Sequence, residues 1–115
     1  MLHRNRNLSS AEVQRIIQAQ AEVMFSVKDD IIIKGFFLAL KAIPQKYVLI
    51  LNKSTNKKSW IRFSNIRWAT CRLDGVGYLF YNYSKLCKLD ISSLQFIALV
   101  YEEVDGFFNK GGLFE

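Results

Sequence analysis

The sequence is poor in the residues that catalysis and metal binding draw on. Its one histidine, His3, lies near the N-terminus of 115 residues, so general-base and triad chemistry have no internal imidazole to use. Cys71 and Cys87 are the only cysteines. Sixteen residues apart and with one distant histidine, they make no zinc pattern. Free buried thiols in a cytoplasmic protein are favoured over a disulfide between them. Long apolar runs are also missing. The most apolar segment, Ile31–Ile43, carries Lys34 and Lys41 and falls short of the ~20 residues a membrane span needs. "MLHRNRNLSS" has charge but no apolar run behind it, so no secretory signal is expected.

Acidic residues are scarce where they would matter. Residues 31–88 hold eleven Lys/Arg against Asp74 alone, whereas residues 1–30 balance four basic against four acidic side chains. Residues 89–115 reverse the sign, with Lys110 against five acids. A nuclease-type cluster of acids beside a lysine is therefore excluded from the basic region. Asp29-Asp30 and Glu102-Glu103 are adjacent pairs whose side chains diverge on any regular element, so paired acid/base work is not expected of them. "DGVG" and "NKGG" lack the strand-before, helix-after context of a phosphate loop. No catalytic residue, cofactor or metal site is expected. The net charge of +6 instead gives a divided field that draws an anionic partner to the middle of the chain.

What is present is a globular composition. Half of the residues are hydrophobic, and 2 Trp, 5 Tyr and 9 Phe supply burial area to a single domain over 1–115. The first eight residues read as a flexible basic tail and 107–115 as an apolar C-terminal tail. "SSAE" (Ser9–Glu12) is a capping box, and Val13, Ile16, Ile17, Val23 and Met24 keep helical spacing, which predicts a helix from Ser10 to Phe25. Residues 31–43 fit either a helix or a strand. The strand is preferred, with a bulge at Gly35 returning Lys34 and Lys41 to one side. "SSLQ" (Ser92–Gln95) opens a closing helix with its apolar stripe at Leu94, Ile97, Ala98, Tyr101 and Val104.

Between these lies a meander. "KYVLILN" and "SWIRFS" flank a polar loop, and symmetric closure about Thr55-Asn56 pairs Val48 with Phe63 and Ile50 with Ile61. Asp74-Gly75 signals a type I′ turn between Ile66–Leu73 and Val76–Tyr83. The expected fold is α+β: an N-terminal helix, an antiparallel meander of four to six strands and a C-terminal capping helix.

Two surfaces stand out. Lys58, Trp60 and Arg62 share one face of an extended strand, with Lys53, Lys57 and Arg67 enlarging the basic footprint. A flat ring between cations suits single-stranded nucleic acid, the ring stacking on a base and the cations meeting phosphates. The competing reading packs Trp60 under the first helix with lysine stems draped over it. Tyr81 and Tyr83, beside Trp68 and Ile66, form a second candidate platform, and Glu102 and Glu103 a candidate protein interface; a rim of ordinary core explains the tyrosines as well.

Residues 46–105 resemble the later part of a bacterial pleckstrin-homology-like domain. The features are "LNKSTNKKSWIRFSNIRW", the "FSNI" corner, the "LDGVG" turn, "YLFYNYSKLCKLDI" and the helix "SSLQFIALVYEEV". The resemblance implies a bent antiparallel sheet capped by a C-terminal helix, with "NKSTNKKS" presenting lysines to anionic headgroups or proteins. The expected function is non-catalytic binding of an anionic partner, nucleic acid first. The alternatives are a protein- or anionic-membrane-interaction domain and a small inhibitor or assembly protein, homo-oligomeric or with a protein partner.

Overall fold

The computed structural model describes residues 3–28 and 31–82 together with Val104, Gly106 and Phe107. Along the chain run β1 (His3–Asn7), α1 (Ser10–Ala19), β2 (Glu22–Val27), β3 (Ile31–Lys41), β4 (Tyr47–Asn52), β5 (Lys57–Arg62), β6 (Trp68–Leu73) and β7 (Val76–Tyr81). A 3-10 turn at Phe63–Asn65 links β5 to β6. The strands form one seven-stranded sheet in the order β1-β7-β6-β2-β3-β4-β5. The β1–β7 contact is parallel and the other neighbouring pairs are antiparallel.

The expected frame of two helices around a four-to-six-strand antiparallel meander is therefore corrected. The sheet is mixed and seven-stranded, and the described elements include one α-helix, α1. The expected closing helix and apolar tail lie outside the described residues except for Val104, Gly106 and Phe107, of which Val104 and Phe107 are buried. Among the described residues the helix that covers the sheet is the N-terminal α1.

Residues 3–7, read as tail, form an edge strand instead. "HRNRN" has no apolar alternation to announce a strand; it is placed by backbone pairing with β7, continued by Leu8 N–H donating to the Tyr81 carbonyl at 2.7 Å. Ser9 caps α1 as expected, its Oγ accepting from Glu12 N–H at 3.3 Å. The helix ends earlier than Phe25. Gln20 adopts a left-handed conformation (φ 52°) and its N–H turns back to the Ile16 and Ile17 carbonyls. Val23 and Met24 thus belong to β2, whose central residues Val23, Met24, Phe25 and Ser26 are all buried. A strand covered on both faces shows no polar alternation, and its apolar run mimics a continuing helix.

The ambiguous segment is strand β3. Its bulge falls between Phe37 and Ala39, not at Gly35. Gly35 serves another purpose: a Cβ there would collide with the Leu51 carbonyl oxygen, so glycine permits the close approach of β4. The second hairpin closes as expected on Asp74 (φ 51°) and Gly75 (φ 77°), with Trp68 opposite Tyr81.

Pairing divides the side chains between two faces. Val13 and Ile16 of α1 pack on one face, against Val23, Phe25, Phe37, Val48, Ile50, Ala69, Cys71 and Phe80. Phe25 and Phe37 meet edge-on there at 5.1 Å. The other face is buried over β7, β6 and β2 through Leu79, Tyr81, Trp68, Thr70, Met24 and Ser26. At the margin of that cover the Lys34 ammonium stands 5.8 Å from the Phe107 ring. Beyond it, over β3, β4 and β5, this face is open.

Candidate functional site

The open face is shaped by the β4–β5 hairpin. Its four-residue turn, Lys53–Asn56, is built by asparagines: Asn52 Oδ1 accepts from the Ser54 N–H (3.0 Å) and hydroxyl (2.9 Å), and Asn56 N–H donates to the Asn52 carbonyl at 2.7 Å. Asn56 takes the left-handed φ of 57° that closes the loop. This turn shifts the register by two residues from symmetric closure. Val48 pairs with Ile61, Ile50 with Ser59, Leu49 with Trp60 and Leu51 with Lys58. A shift of two changes partners but keeps faces. Ile61 accordingly turns to the core, while Lys58, Trp60 and Arg62 remain together on the open face.

Trp60 is 49% exposed, on the sheet's edge strand and on the face opposite α1. The reading that buries it beneath the first helix is thereby overturned. Lys58 and Arg62 beside it are exposed, and among the described residues neither enters an ion pair. The other expected cations separate. Lys53 bonds Glu22 at 2.7 Å, so its charge is already met by a carboxylate. Lys57 is exposed but alternates to the opposite side from Lys58. Arg67 precedes β6, its N–H bonded to the Ser26 carbonyl and its own carbonyl accepting from Asn82 N–H, away from the hairpin face. The tyrosine platform is not formed: Tyr81 is 1% exposed. Tyr83, Glu102 and Glu103 lie outside the described residues.

Two residues of the open face escaped the sequence reading of the site. Cross-strand pairing sets Lys41 opposite Tyr47 and Tyr47 opposite Arg62. The signal was present in the lysine spacing of β3, but it needs the bulge past Phe37 to bring Lys41 round to this side. No family model, curated protein or solved structure matches the chain.

Elsewhere the polar clusters look structural. Arg6 and Arg15 stand 5.6 and 5.0 Å from the Tyr78 ring, and both pair with Glu12, which ties α1 to β1 and β7. Cys71 is a buried free thiol beneath this cluster, and burial pushes its pKa up to about 12. It is no nucleophile. Among the described residues no group of His, Cys, Asp and Glu could hold a metal ion, and no helix is long and apolar enough to cross a membrane. Two open depressions of about 410 and 430 Å³ share Lys46 and Phe63 at the hairpin base, where the Lys46 ammonium lies 5.5 Å from the Phe63 ring.

Proposed function

We propose that this chain is a non-catalytic binding module that engages an anionic partner, nucleic acid first, through the open face of the β4–β5 hairpin. The observation that carries the reading is the half-exposed Trp60 between Lys58 and Arg62 on an edge strand. An exposed indole on a rigid strand gives a base a stacking surface, and the flanking cations gain by releasing counterions from phosphates. Residues 31–62 carry six lysines, one arginine and no acid, so nothing in this stretch repels a polyanion.

The test is fluorescence anisotropy of a labelled single-stranded oligonucleotide at low salt. Binding should weaken steeply as salt rises. Trp60→Ala should cost about tenfold or more in affinity, the lower range of one stacked base, while Trp60→Phe recovers part of it. If the wild-type protein retains no oligonucleotide at low salt, the reading fails. Saturable binding to anionic vesicles in that case would support the pleckstrin-homology-like alternative, which uses the same lysines.

A further inference from the structure

The open face is larger than the hairpin and has an internal order. Three cross-strand rows run over β3, β4 and β5: Lys41–Tyr47–Arg62, Ala39–Leu49–Trp60 and Phe36–Leu51–Lys58. Lys41, Arg62, Trp60 and Lys58 are exposed and the other five are half-buried, so no member of the rows is sealed from solvent. The apolar middle has Lys41 and Arg62 at one end and Lys58 at the other, where Glu22 of β2, opposite Phe36 and bonded to Lys53, marks the margin. Lys41 reaches this face only through the bulge past Phe37; in an unbroken strand it would point to the α1 side.

We infer that the ligand of this face is a single nucleic-acid strand laid obliquely across β3–β5, with Tyr47 and Trp60 as successive stacking stations and Lys41, Arg62 and Lys58 as phosphate ligands. The inference rests on the nucleic-acid reading above and names its path and substrate class. Tyr47 and Trp60 are diagonal neighbours of an antiparallel pair, about 7–8 Å apart at Cα. Two consecutive unstacked bases can bridge that separation. Lys41 and Arg62 flank Tyr47 at about 5 Å of strand spacing on either side, within reach of the phosphates bracketing one base. Duplex nucleic acid hides its base faces in the stack and would leave both rings and the apolar middle row unused. A second copy of the chain is disfavoured as the occupant, because it would set Lys41, Lys58 and Arg62 against their own kind.

The experiment uses the full chain and a short labelled pyrimidine oligonucleotide, with unlabelled single strand and duplex of the same sequence as competitors. Lys41→Gln should weaken binding severalfold and lower the log–log salt slope by about 0.7, one phosphate contact on a single strand. Tyr47→Ala should cost about fivefold or more, with Tyr47→Phe close to wild type. If Tyr47→Ala fails to fold by circular dichroism, Tyr47→Leu takes its place and should bind equally poorly. Duplex should compete at least about tenfold worse than single strand at moderate salt. Wild-type affinity in the Lys41 and Tyr47 variants, with Trp60→Ala still impaired, would overturn the path and leave the hairpin reading standing. Equal competition by duplex would overturn the single-strand assignment. Absence of wild-type binding would overturn both.

Discussion

Single residues in this fold act mainly through what surrounds them. Gly35 sits where β3 comes so close to β4 that the Leu51 carbonyl occupies the space of a side chain. The obstacle is backbone, which cannot rotate away. Gly35→Ala should therefore destabilise by about 2–3 kcal/mol, the upper range for overpacking, read as a lowered urea midpoint or as loss of soluble protein. Cys71 shows the opposite dependence, on what it is kept from. Its thiol is buried under α1, and desolvation raises its pKa from 9.0 to about 12. The folded pKa lies above the unfolded one, so the contribution to stability is complete below 9.0 and is lost as pH climbs toward about 12. Cys71→Ala should remove that part of the alkaline unfolding curve. At mildly alkaline pH a thiol reagent should leave Cys71 unmodified in the native protein and label it in denaturant, as peptide mapping would show.

At the scale of elements, the hairpin decides which lysines matter. Lys53 is 63% exposed yet spends its charge on Glu22, and Lys57 alternates away from the open face. Lys58→Gln should thus weaken oligonucleotide binding clearly more than Lys53→Gln or Lys57→Gln, a ranking that neighbouring positions in one loop would not otherwise show. Equal losses in all three would mean a diffuse electrostatic surface. Faces were legible in the sequence because period-two alternation survives an error in register: the two-residue slip left Lys58, Trp60 and Arg62 together. The Asp74-Gly75 turn and the Ser9 cap were legible because each depends on a few adjacent atoms. What was hidden needed distant partners. Strand β1 is held by pairing with β7, seventy-odd residues away, and its polar sequence carries no trace of this. The end of α1 was masked because β2 is apolar on both sides and Gln20 is not the glycine that usually marks a left-handed stop. The bulge in β3 was legible only in part: the lysine spacing asked for one and put Lys34 and Lys41 on one side, as the pairing does, but no residue marks its position past Phe37 rather than at Gly35.

For the whole molecule the governing fact is that one sheet serves two solvents. α1 covers the centre of one face, and the other is buried over β7, β6 and β2 but exposed or half-buried over β3–β5. There the strands bring lysines and an arginine but no acid of their own, and Glu22 of β2, bonded to Lys53, stands at the margin. This arrangement puts the two tryptophans in opposite situations on the same face: Trp60 is 49% exposed among cations, and Trp68 is 3% exposed. A field of this sign concentrates anions near Trp60 and thins out cations there, within a Debye length of about 10 Å at 0.1 M salt. Charged quenchers report on it directly. Iodide should quench roughly the Trp60 share of the fluorescence at low ionic strength, and caesium much less, each scaled to free tryptophanamide to remove their intrinsic difference. The gap should narrow as inert salt is added, because the field is screened. Trp60→Phe should abolish both responses and leave the emission of Trp68 untouched by either ion. Equal scaled quenching by iodide and caesium would mean that the lysines do not shape the potential at the indole, and the case for an anionic partner at this face would lose its electrostatic half while retaining only a ring on an open strand.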